Sequence, residues 1–295
     1  MKQAILSLLT ETSLHAGTGQ MTGVIDLPIQ RESHTDWPCV YGSAVKGAMR
    51  MLATEYAKKD KNCEVDENNN LKKDCWVNEV FGPEEGNEHA GSVAISDAKL
   101  LLLPVRSLTG YFKLVTCPAL LERLQRDCKR LGFKEVFSTE IPDDNQAFIS
   151  DESTDNLFLE EFRFETKKKD LEKVINVISI LADINKLEEQ LVIVNNDIFS
   201  HLARYATPVN AHIKIDNDTK IVKKGQLWYE ETLPSDTLLY TTVAAFKSRK
   251  DKSEKTNSSI LKHIMDLFSE RPYLQIGGNE TVGMGWCKIK TWKGD

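Results

Sequence analysis

The residues best suited to chemistry lie in one loop near the start of the chain. His15, Asp26 and Arg31 stand between an apolar run that predicts a strand and a patterned helix that begins near Ser43. A histidine and a carboxylate in one loop could act as an acid–base pair, and the guanidinium could bind an anion. The alternative is that Asp26 only stabilises a turn, and spacing alone does not decide between the two.

The start of the following helix is a second candidate. Ser43 is suited to cap the helix, and Lys46 and Arg50 are spaced to lie one turn apart. The free amides and the dipole of a helix N-terminus attract anions, so a phosphate could be held there by these amides and by Lys46. By themselves, the residues slightly favour an ordinary capped helix with a solvated lysine.

Glycines near the end of the chain form a third candidate. Gly277 and Gly278 precede a Gly-x-Gly at 283–285, but the residues from Trp286 predict a strand and not the helix that a dinucleotide loop requires. A dinucleotide site is therefore not expected. Glycine allows close approach of another backbone, so a packed hairpin tip and an RNA-contacting loop both remain open.

The composition is that of a soluble globular protein. The 295 residues are 41% hydrophobic and 28% charged, with a net charge of -6. We expect a cytoplasmic protein, because no apolar run is long enough for a membrane span and no signal peptide precedes the first strand. The acidic balance counts against a free-standing nucleic-acid binder, although local patches could still bind. The six cysteines form no Cys-x-x-Cys pair, so free thiols are expected instead of a zinc site.

The remaining elements predict an α+β fold. Strands and helices alternate irregularly, which indicates a βαββαβ-type core with insertions in one domain spanning 1–295. Residues 58–74 are polar and charged and predict a mobile insertion. Residues 211–231 alternate around a turn-forming Asn-Asp pair and predict a β-hairpin that projects from the body. A helix from Pro118 to Gly132 should carry a solvated basic face.

Five motifs, in order along the chain, resemble one known family. They are His15-Ala-Gly-Thr-Gly19, Gly23-Val-Ile-Asp-Leu-Pro-Ile-Gln-Arg-Glu32, Gly42-Ser-x-x-Lys-Gly-Ala-x-Arg50, Gly91-Ser-Val-x-x-x-Asp-Ala-x-Leu-Leu-Leu-Leu-Pro-Val-Arg-Ser107 and Leu274-Gln-Ile-Gly-Gly-Asn-Glu-Thr-Val-Gly283. Together they resemble the repeated backbone subunit of the Cmr complex, the type III-B CRISPR effector, which belongs to the RAMP superfamily. The resemblance spans nearly the whole chain and is weakest at 62–74 and 140–189.

The resemblance implies a fold and a set of partners. The fold would be an RRM-like (ferredoxin-like) palm with finger and thumb β-hairpin insertions, the thumb lying at about 207–234. Copies would stack into a filament along one CRISPR RNA, together with other Cmr complex subunits, and cleave guide-paired target RNA at regular intervals. The alternative is a structural RNA-binding filament subunit without essential nuclease activity. A third interpretation is a stand-alone nuclease that processes the guide precursor.

The resemblance also implies residue roles. Asp26 would help the ribose 2′-hydroxyl attack the neighbouring phosphorus, either as a base or by holding a divalent cation, Mg²⁺ or Mn²⁺. The other residues implied in the reaction are His15, Tyr229, Glu230 and Glu231. The resemblance does not say which of the two thumb carboxylates acts. The implied RNA-binding residues are Lys46, Arg50, Arg31, Ser43, Gly277 and Gly278.

Overall fold

The structure is a computed structural model, and it describes residues 1–20, 22–59, 63–83, 89–133, 137, 140–150 and 155–293. The helices are α1 (Gly42–Lys59), α2 (Trp76–Phe81), α3 (Pro118–Arg130), α4 (Glu172–Leu181), α5 (Leu187–Gln190), α6 (Asn196–Tyr205) and α7 (Asn257–Asp266). The strands are β1 (Lys2–Thr10), β2 (Cys39–Val40), β3 (Val93–Ile95), β4 (Ala98–Arg106), β5 (Phe112–Thr116), β6 (Gln146–Ile149), β7 (Asn156–Leu159), β8 (Phe162–Lys168), β9 (Leu191–Ile193), β10 (Val209–Ile215), β11 (Val222–Glu231), β12 (Leu238–Ala245), β13 (Tyr273–Gln275) and β14 (Trp286–Lys293). None of these helices is long and apolar enough to cross a membrane.

Most of the strands join one large sheet. Its order is β13-β14-β1-β12-β4-β5-β9-β6-β8-β7, with β2 added beside β4 and β3 beside β12. The pairings are antiparallel except those of β5 with β9 and of β6 with β8. The chain is therefore a mixed α+β protein with a mostly antiparallel sheet, which confirms the α+β part of the predicted fold class.

The centre of the sheet is built from both ends of the chain. β1 lies between β12 and β14 and is antiparallel to both. The chain passes through α1 between β1 and β4, and through α7 between β12 and β14. In the central order β14-β1-β12-β4, each of these connected strand pairs is separated by one antiparallel strand.

Helices cover both faces of this central region. Ala4, Leu6 and Leu8 of β1 join the core that includes α1 and α7, whereas Ile5 and Leu9 join a second core with α3 and α4. Successive residues of a strand point to opposite faces, so both faces of β1 are buried. This explains why the segment is a continuous apolar run and not a strict alternation.

Two predicted elements are each divided in the structure. The single strand expected at 156–166 is the hairpin of β7 and β8, because Glu160 adopts a left-handed conformation with φ of 49° and turns the chain. The single helix expected at 171–189 is α4 followed by α5. Ala182 is extended and ends α4, and Lys186 is left-handed just before α5.

The free-thiol prediction is wrong for one pair of cysteines. Cys63 and Cys75 form a disulfide across a turn, in which the backbones of Val65 and Leu71 pair and bring the two thiols together. The other four cysteines form no disulfide and are buried. Residues 60–62 of the predicted insertion lie outside the described residues, and its mobility stays a prediction.

The solvated-face prediction is wrong for one arginine of α3. Arg123 is nearly buried and donates two hydrogen bonds to the carboxylate of Glu32, at 2.6 and 2.9 Å, above the ring of Trp37. Burial opposes ionisation of Glu32, but the hydrogen bonds from Arg123 and Thr35 outweigh it and lower the pKa of this carboxyl. The pair fastens the end of the His15–Glu32 loop to α3.

Candidate functional site

The predicted hairpin is present as a separate two-stranded sheet of β10 and β11. The cross-strand register places a set of apolar side chains on one face, namely Val209, Ala211, Ile213, Ile215, Val222, Leu227 and Tyr229. Apart from Ala211, these residues are 42–53% exposed. On the other face, His212 stacks on Trp228. An apolar face left this open is typical of a binding surface.

The loop that carries His15, Asp26 and Arg31 runs along the outer edge of β11. The N–H of Leu27 donates to the carbonyl of Tyr229 at 3.1 Å, and the carbonyl of Leu27 accepts from the N–H of Glu231 at 3.0 Å. The loop therefore extends the base of the hairpin like a short additional strand. This contact brings together residues that are about 200 positions apart in the sequence.

Asp26 is oriented by the hairpin. Its Oδ2 accepts a hydrogen bond from the backbone N–H of Tyr229 at 2.8 Å, and the residue is partly exposed. The bond fixes the direction of the carboxylate but does not bury it. Asp26 therefore remains accessible to solvent at the base of the hairpin.

His15 is buried beside the same hairpin base. Its Nδ1 lies 2.7 Å from the carbonyl oxygen of Glu231. A carbonyl only accepts, so Nδ1 carries the hydrogen and Nε2 of the neutral ring carries the lone pair. A Cβ at Gly17 would lie 2.6 Å from Nε2, so only glycine fits there without movement of the ring. The backbone thus selects the tautomer in which Nε2 can accept a proton.

Glu231 is a structural anchor in this arrangement. It is 2% exposed, and its Oε1 accepts from Arg31 at 2.5 Å and from the hydroxyl of Thr207 at 2.7 Å. Its Oε2 accepts from the N–H of Ile29 at 3.1 Å. Arg31 also donates to two backbone carbonyls. These contacts favour positioning roles for both residues. The predicted catalytic role of Glu231 and the predicted RNA contact of Arg31 stay untested.

The connection between β13 and β14 forms the third side of the site. The N–H of Gly278 donates to the carbonyl of His15 at 3.0 Å, and a Cβ at Gly277 would lie 2.2 Å from that oxygen. The two glycines therefore form a packed turn, while their RNA contact stays a prediction. The amide of Asn279 donates to the Oε1 of Glu230 at 2.6 Å. Asn279 was not predicted as a site residue, because its only signal in the sequence is that of a turn-forming residue after two glycines.

The residues predicted on the helix after the loop, Ser43, Lys46 and Arg50, lie on α1. The helix begins at Gly42, whose N–H donates to the Oδ1 of Asp97 at 2.7 Å. Ser43 is exposed and lies within the first turn, so the prediction that it caps the helix is wrong. Asp97, the residue just before β4, takes the capping role instead. Its carboxylate thereby occupies the N–H of Gly42, an amide that was predicted to be free for a phosphate.

Lys46 and Arg50 lie one turn apart on α1, and Arg249 lies near enough to repel Lys46. Burial lowers the pKa of Lys46, and repulsion from Arg50 and Arg249 lowers it further. Arg50 donates to the carbonyl of Gly82 at 2.5 Å and to the side chain of Asn78 at 3.2 Å, so it also fastens α1 to α2. Arg249 comes from the charged loop after β12. Such a cluster attracts anions, and the guide contacts predicted for Lys46 and Arg50 remain predictions.

The predicted divalent cation would need several oxygen ligands around Asp26. Among the residues that the structure describes, no three His, Cys, Asp or Glu side chains are grouped as metal ligands. The neighbouring carboxylates of Glu230 and Glu231 are directed to Asn279 and Arg31 instead. These residues do not fit a metal site built by this chain alone. A cation held by Asp26 would need most of its ligands from RNA and water.

Comparisons with known proteins agree with the resemblance noted in the sequence. The family model described as the RAMP superfamily matches residues 7–288. The chain is 38% identical to the CRISPR system Cmr endoribonuclease Cmr4 of Pyrococcus furiosus, over 98% of this chain and 95% of that protein. It is 23% identical to the CRISPR system CMR subunit Cmr4 of Saccharolobus solfataricus, over 96% and 94% of the two chains.

Solved structures share the fold over the whole chain. The crystal structure of oligomeric Cmr4 from Pyrococcus furiosus superposes with a TM-score of 0.72 at 32% identity, covering 100% of this chain and 99% of that one. A chain of the type III-B Cmr-beta complex bound to cognate target RNA gives a TM-score of 0.75 at 20% identity, covering 99% and 97%. The chain therefore belongs to the RAMP superfamily.

Proposed function

We propose that this chain is a backbone subunit of a type III-B CRISPR ribonucleoprotein that binds CRISPR RNA and cleaves guide-paired target RNA at regular intervals. Its partners would be the two RNAs, further copies of itself in a filament, and other Cmr complex subunits, in the cytoplasm. Similarity over nearly the full length to a protein named as a Cmr endoribonuclease supports this assignment. The observation that carries it is Asp26, held by the Tyr229 amide at the base of a projecting hairpin.

The chemistry follows from what RNA brings to the site. In the proposed reaction, the 2′-hydroxyl loses its proton as its oxygen bonds to the adjacent phosphorus and the bond to the 5′-oxygen breaks. Asp26 accepts that proton, and water protonates the leaving 5′-oxygen, which leaves a 2′,3′-cyclic phosphate on one product and a 5′-hydroxyl on the other. His15, with its Nε2 lone pair, is the second group able to exchange a proton. The hairpin supplies alignment, because in-line attack requires the RNA to be bent away from its helical geometry.

The proposed architecture is a ferredoxin-like palm with insertions in a single domain, 1–295. The central order β14-β1-β12-β4, connected through α1 and α7, is the strand order of a βαββαβ unit and supports this proposal. In this view, the chain between β4 and β12 is one long insertion. It supplies the thumb at about 207–234.

The decisive test is a map of cut positions on target RNA in a reconstituted complex. Asp26→Asn keeps an oxygen that can accept from the Tyr229 amide but removes the charge, so cleavage should fall by at least about 100-fold with RNA binding retained. Asp26→Ala should be equally inactive. Regular cuts that vanish with Asp26→Asn support the proposal. Undiminished cleavage by Asp26→Asn would overturn the catalytic role of Asp26, whereas loss of assembly in this variant would favour a structural role for this residue.

A further inference from the structure

The two adjacent carboxylates at the hairpin base hold it from opposite sides. Neighbouring residues of a strand point in opposite directions, and both Glu230 and Glu231 are at most 3% exposed. Glu231 bonds to the loop that carries Asp26, through Arg31 and Ile29. Glu230 bonds to the β13–β14 connection through Asn279. Each carboxylate therefore joins the hairpin to a different neighbouring segment.

The side chain of Asn279 makes a short hydrogen bond to Glu230. Its Nδ2 lies 2.6 Å from the Oε1 of Glu230, a distance at which an amide donates a strong hydrogen bond to a carboxylate. Asn279 adopts the left-handed conformation, with φ of 61°, which asparagine tolerates better than most residues. Its own carbonyl accepts from the N–H of Val282 at 3.1 Å and of Met284 at 3.2 Å. The turn therefore presents the amide in a fixed direction.

The same turn also holds His15. Gly278, the residue before Asn279, donates its N–H to the His15 carbonyl. The imidazole of His15 in turn bonds to the carbonyl of Glu231. The turn, the histidine and the hairpin base thus form a closed ring of contacts, and the link between Asn279 and Glu230 completes it.

We propose that Asn279 is a positioning residue of the RNA-cleavage site and acts through Glu230. Together the pair sets the hairpin base against the 277–279 turn, so that the Tyr229 amide meets Asp26 and the RNA is bent at the correct place. Glu230 then exchanges no proton with RNA, and the reacting carboxylate is Asp26. This inference rests on the proposed cleavage of target RNA.

Exchanging the amide of Asn279 and the carboxylate of Glu230 tests this contact in the reconstituted complex. Asn279→Asp places a carboxylate against Glu230 with almost unchanged shape, and cleavage should fall about 10- to 100-fold with RNA binding retained. Glu230→Gln keeps an oxygen that accepts from Asn279 and should therefore lower cleavage by a smaller factor than Asn279→Asp. The double variant N279D/E230Q reverses the hydrogen bond, because the new glutamine amide donates to the new aspartate carboxylate, and should recover most of the lost activity.

Two further readouts separate positioning from chemistry. Two carboxylates in contact share a proton more readily at low pH, so the ratio of Asn279→Asp activity to wild-type activity should rise as pH falls from 7.5 to 6. Glycine readily adopts the left-handed conformation of residue 279, so Asn279→Gly removes the side-chain amide without straining the turn. It should increase hydrogen exchange at the hairpin base and lower cleavage by a smaller factor than Asn279→Asp.

The outcomes are distinguishable from failure of the proposed function. Loss of cleavage in Glu230→Gln as complete as in Asp26→Asn, without recovery in the double variant, would assign proton chemistry to Glu230 and overturn the inference. Wild-type cleavage by both Asn279→Asp and Asn279→Gly, while Asp26→Asn is inactive, would overturn it as well. If instead the wild-type complex makes no regular cuts in target RNA, the proposed function itself fails, and if Asp26→Asn cleaves normally, Asp26 is not the reacting carboxylate.

Discussion

The guanidinium of Arg31 and the carboxylate of Glu231 lie 2.5 Å apart where the loop meets the hairpin base, with side-chain exposures of 16% and 3%. Removing one member of a buried pair leaves the other charge unpaired. Arg31→Ala should therefore lower the free energy of unfolding by roughly 3 kcal/mol, as measured by urea denaturation.

A matched control is available nearby. Arg204 pairs with Asp36 at 3.0 Å, but both side chains are about half exposed, so Arg204→Ala should cost less than about 1 kcal/mol. An Arg31→Ala variant with unchanged stability and weakened guide affinity would contradict the positioning role and favour the RNA contact that the sequence predicted.

Lys46 and Arg50 should behave differently despite their shared face of α1. Lys46→Ala should weaken RNA binding uniformly across sequences and reduce the slope of log affinity against log salt by about 1. Arg50→Ala should also lower stability, because its guanidinium bonds to Gly82 and Asn78. Binding isotherms at several salt concentrations, with urea denaturation alongside, measure both effects. An unchanged slope in Lys46→Ala would exclude a phosphate contact.

The exposed face of the hairpin should matter for cleavage and little for folding. Ile213 and Leu227 face each other across the two strands and are 48% and 53% exposed. The double substitution to serine should change the free energy of unfolding by about 0.5 kcal/mol or less. It should nevertheless blur the regular spacing of cuts on target RNA, which sequencing of the cleavage products would show. Sharp, regular cuts in this variant would mean that the apolar face does not shape the RNA.

Glu79 of α2 should make stability depend on acid pH. Burial raises its pKa, but hydrogen bonds from Lys255, Ser248 and Ser253 outweigh this and lower the pKa to about 2. Because the ordinary value is 4.5, the ionised group stabilises the fold above about pH 4.5, and this contribution is lost as pH falls towards 2. Glu79→Gln should be less stable than the wild type at neutral pH, and the difference should shrink across this window in urea denaturation. A constant difference would contradict the shifted pKa.

Chelation tests the cation that the sequence resemblance implies. Because the described residues of this chain do not group three metal ligands, any required Mg²⁺ or Mn²⁺ would bind mainly through RNA. EDTA should then abolish cleavage and leave the free protein's melting temperature unchanged. Full cleavage in EDTA would remove the cation from the reaction, whereas a lower melting temperature of the free protein would indicate a protein-built site.

Local patterns predicted the elements that depend on neighbouring residues. The apolar run of β1, the helix α3 that begins at Pro118 and the hairpin around Asn217 all follow from short-range periodicity and turn chemistry. Division of the predicted strand at Glu160 was not foreseen, because a left-handed glutamate has no clear signal in the sequence.

Prediction of the candidate site required more than local sequence patterns. The resemblance singled out Asp26 and Tyr229, and the structure brings them into contact across about 200 residues. It could not supply the pairing partners, because the contacts of Glu32 with Arg123 and of Gly42 with Asp97 depend on how distant elements pack. For the same reason, nothing in the sequence distinguished Arg31 as an anchor from Arg31 as a phosphate ligand.

The central position of β1 has a consequence for how the protein is made. Leu9 pairs with Leu238 on one side and with Lys288 on the other, so the first strand completes neither ladder until more than 200 further residues have been synthesised. At ordinary translation rates that delay is roughly 10–50 s, during which an apolar strand is exposed on the ribosome. Loss of β14 would remove a partner of the first strand. Biogenesis should therefore depend on chaperones that shield β1. A truncated protein that lacks β14 should aggregate instead of folding.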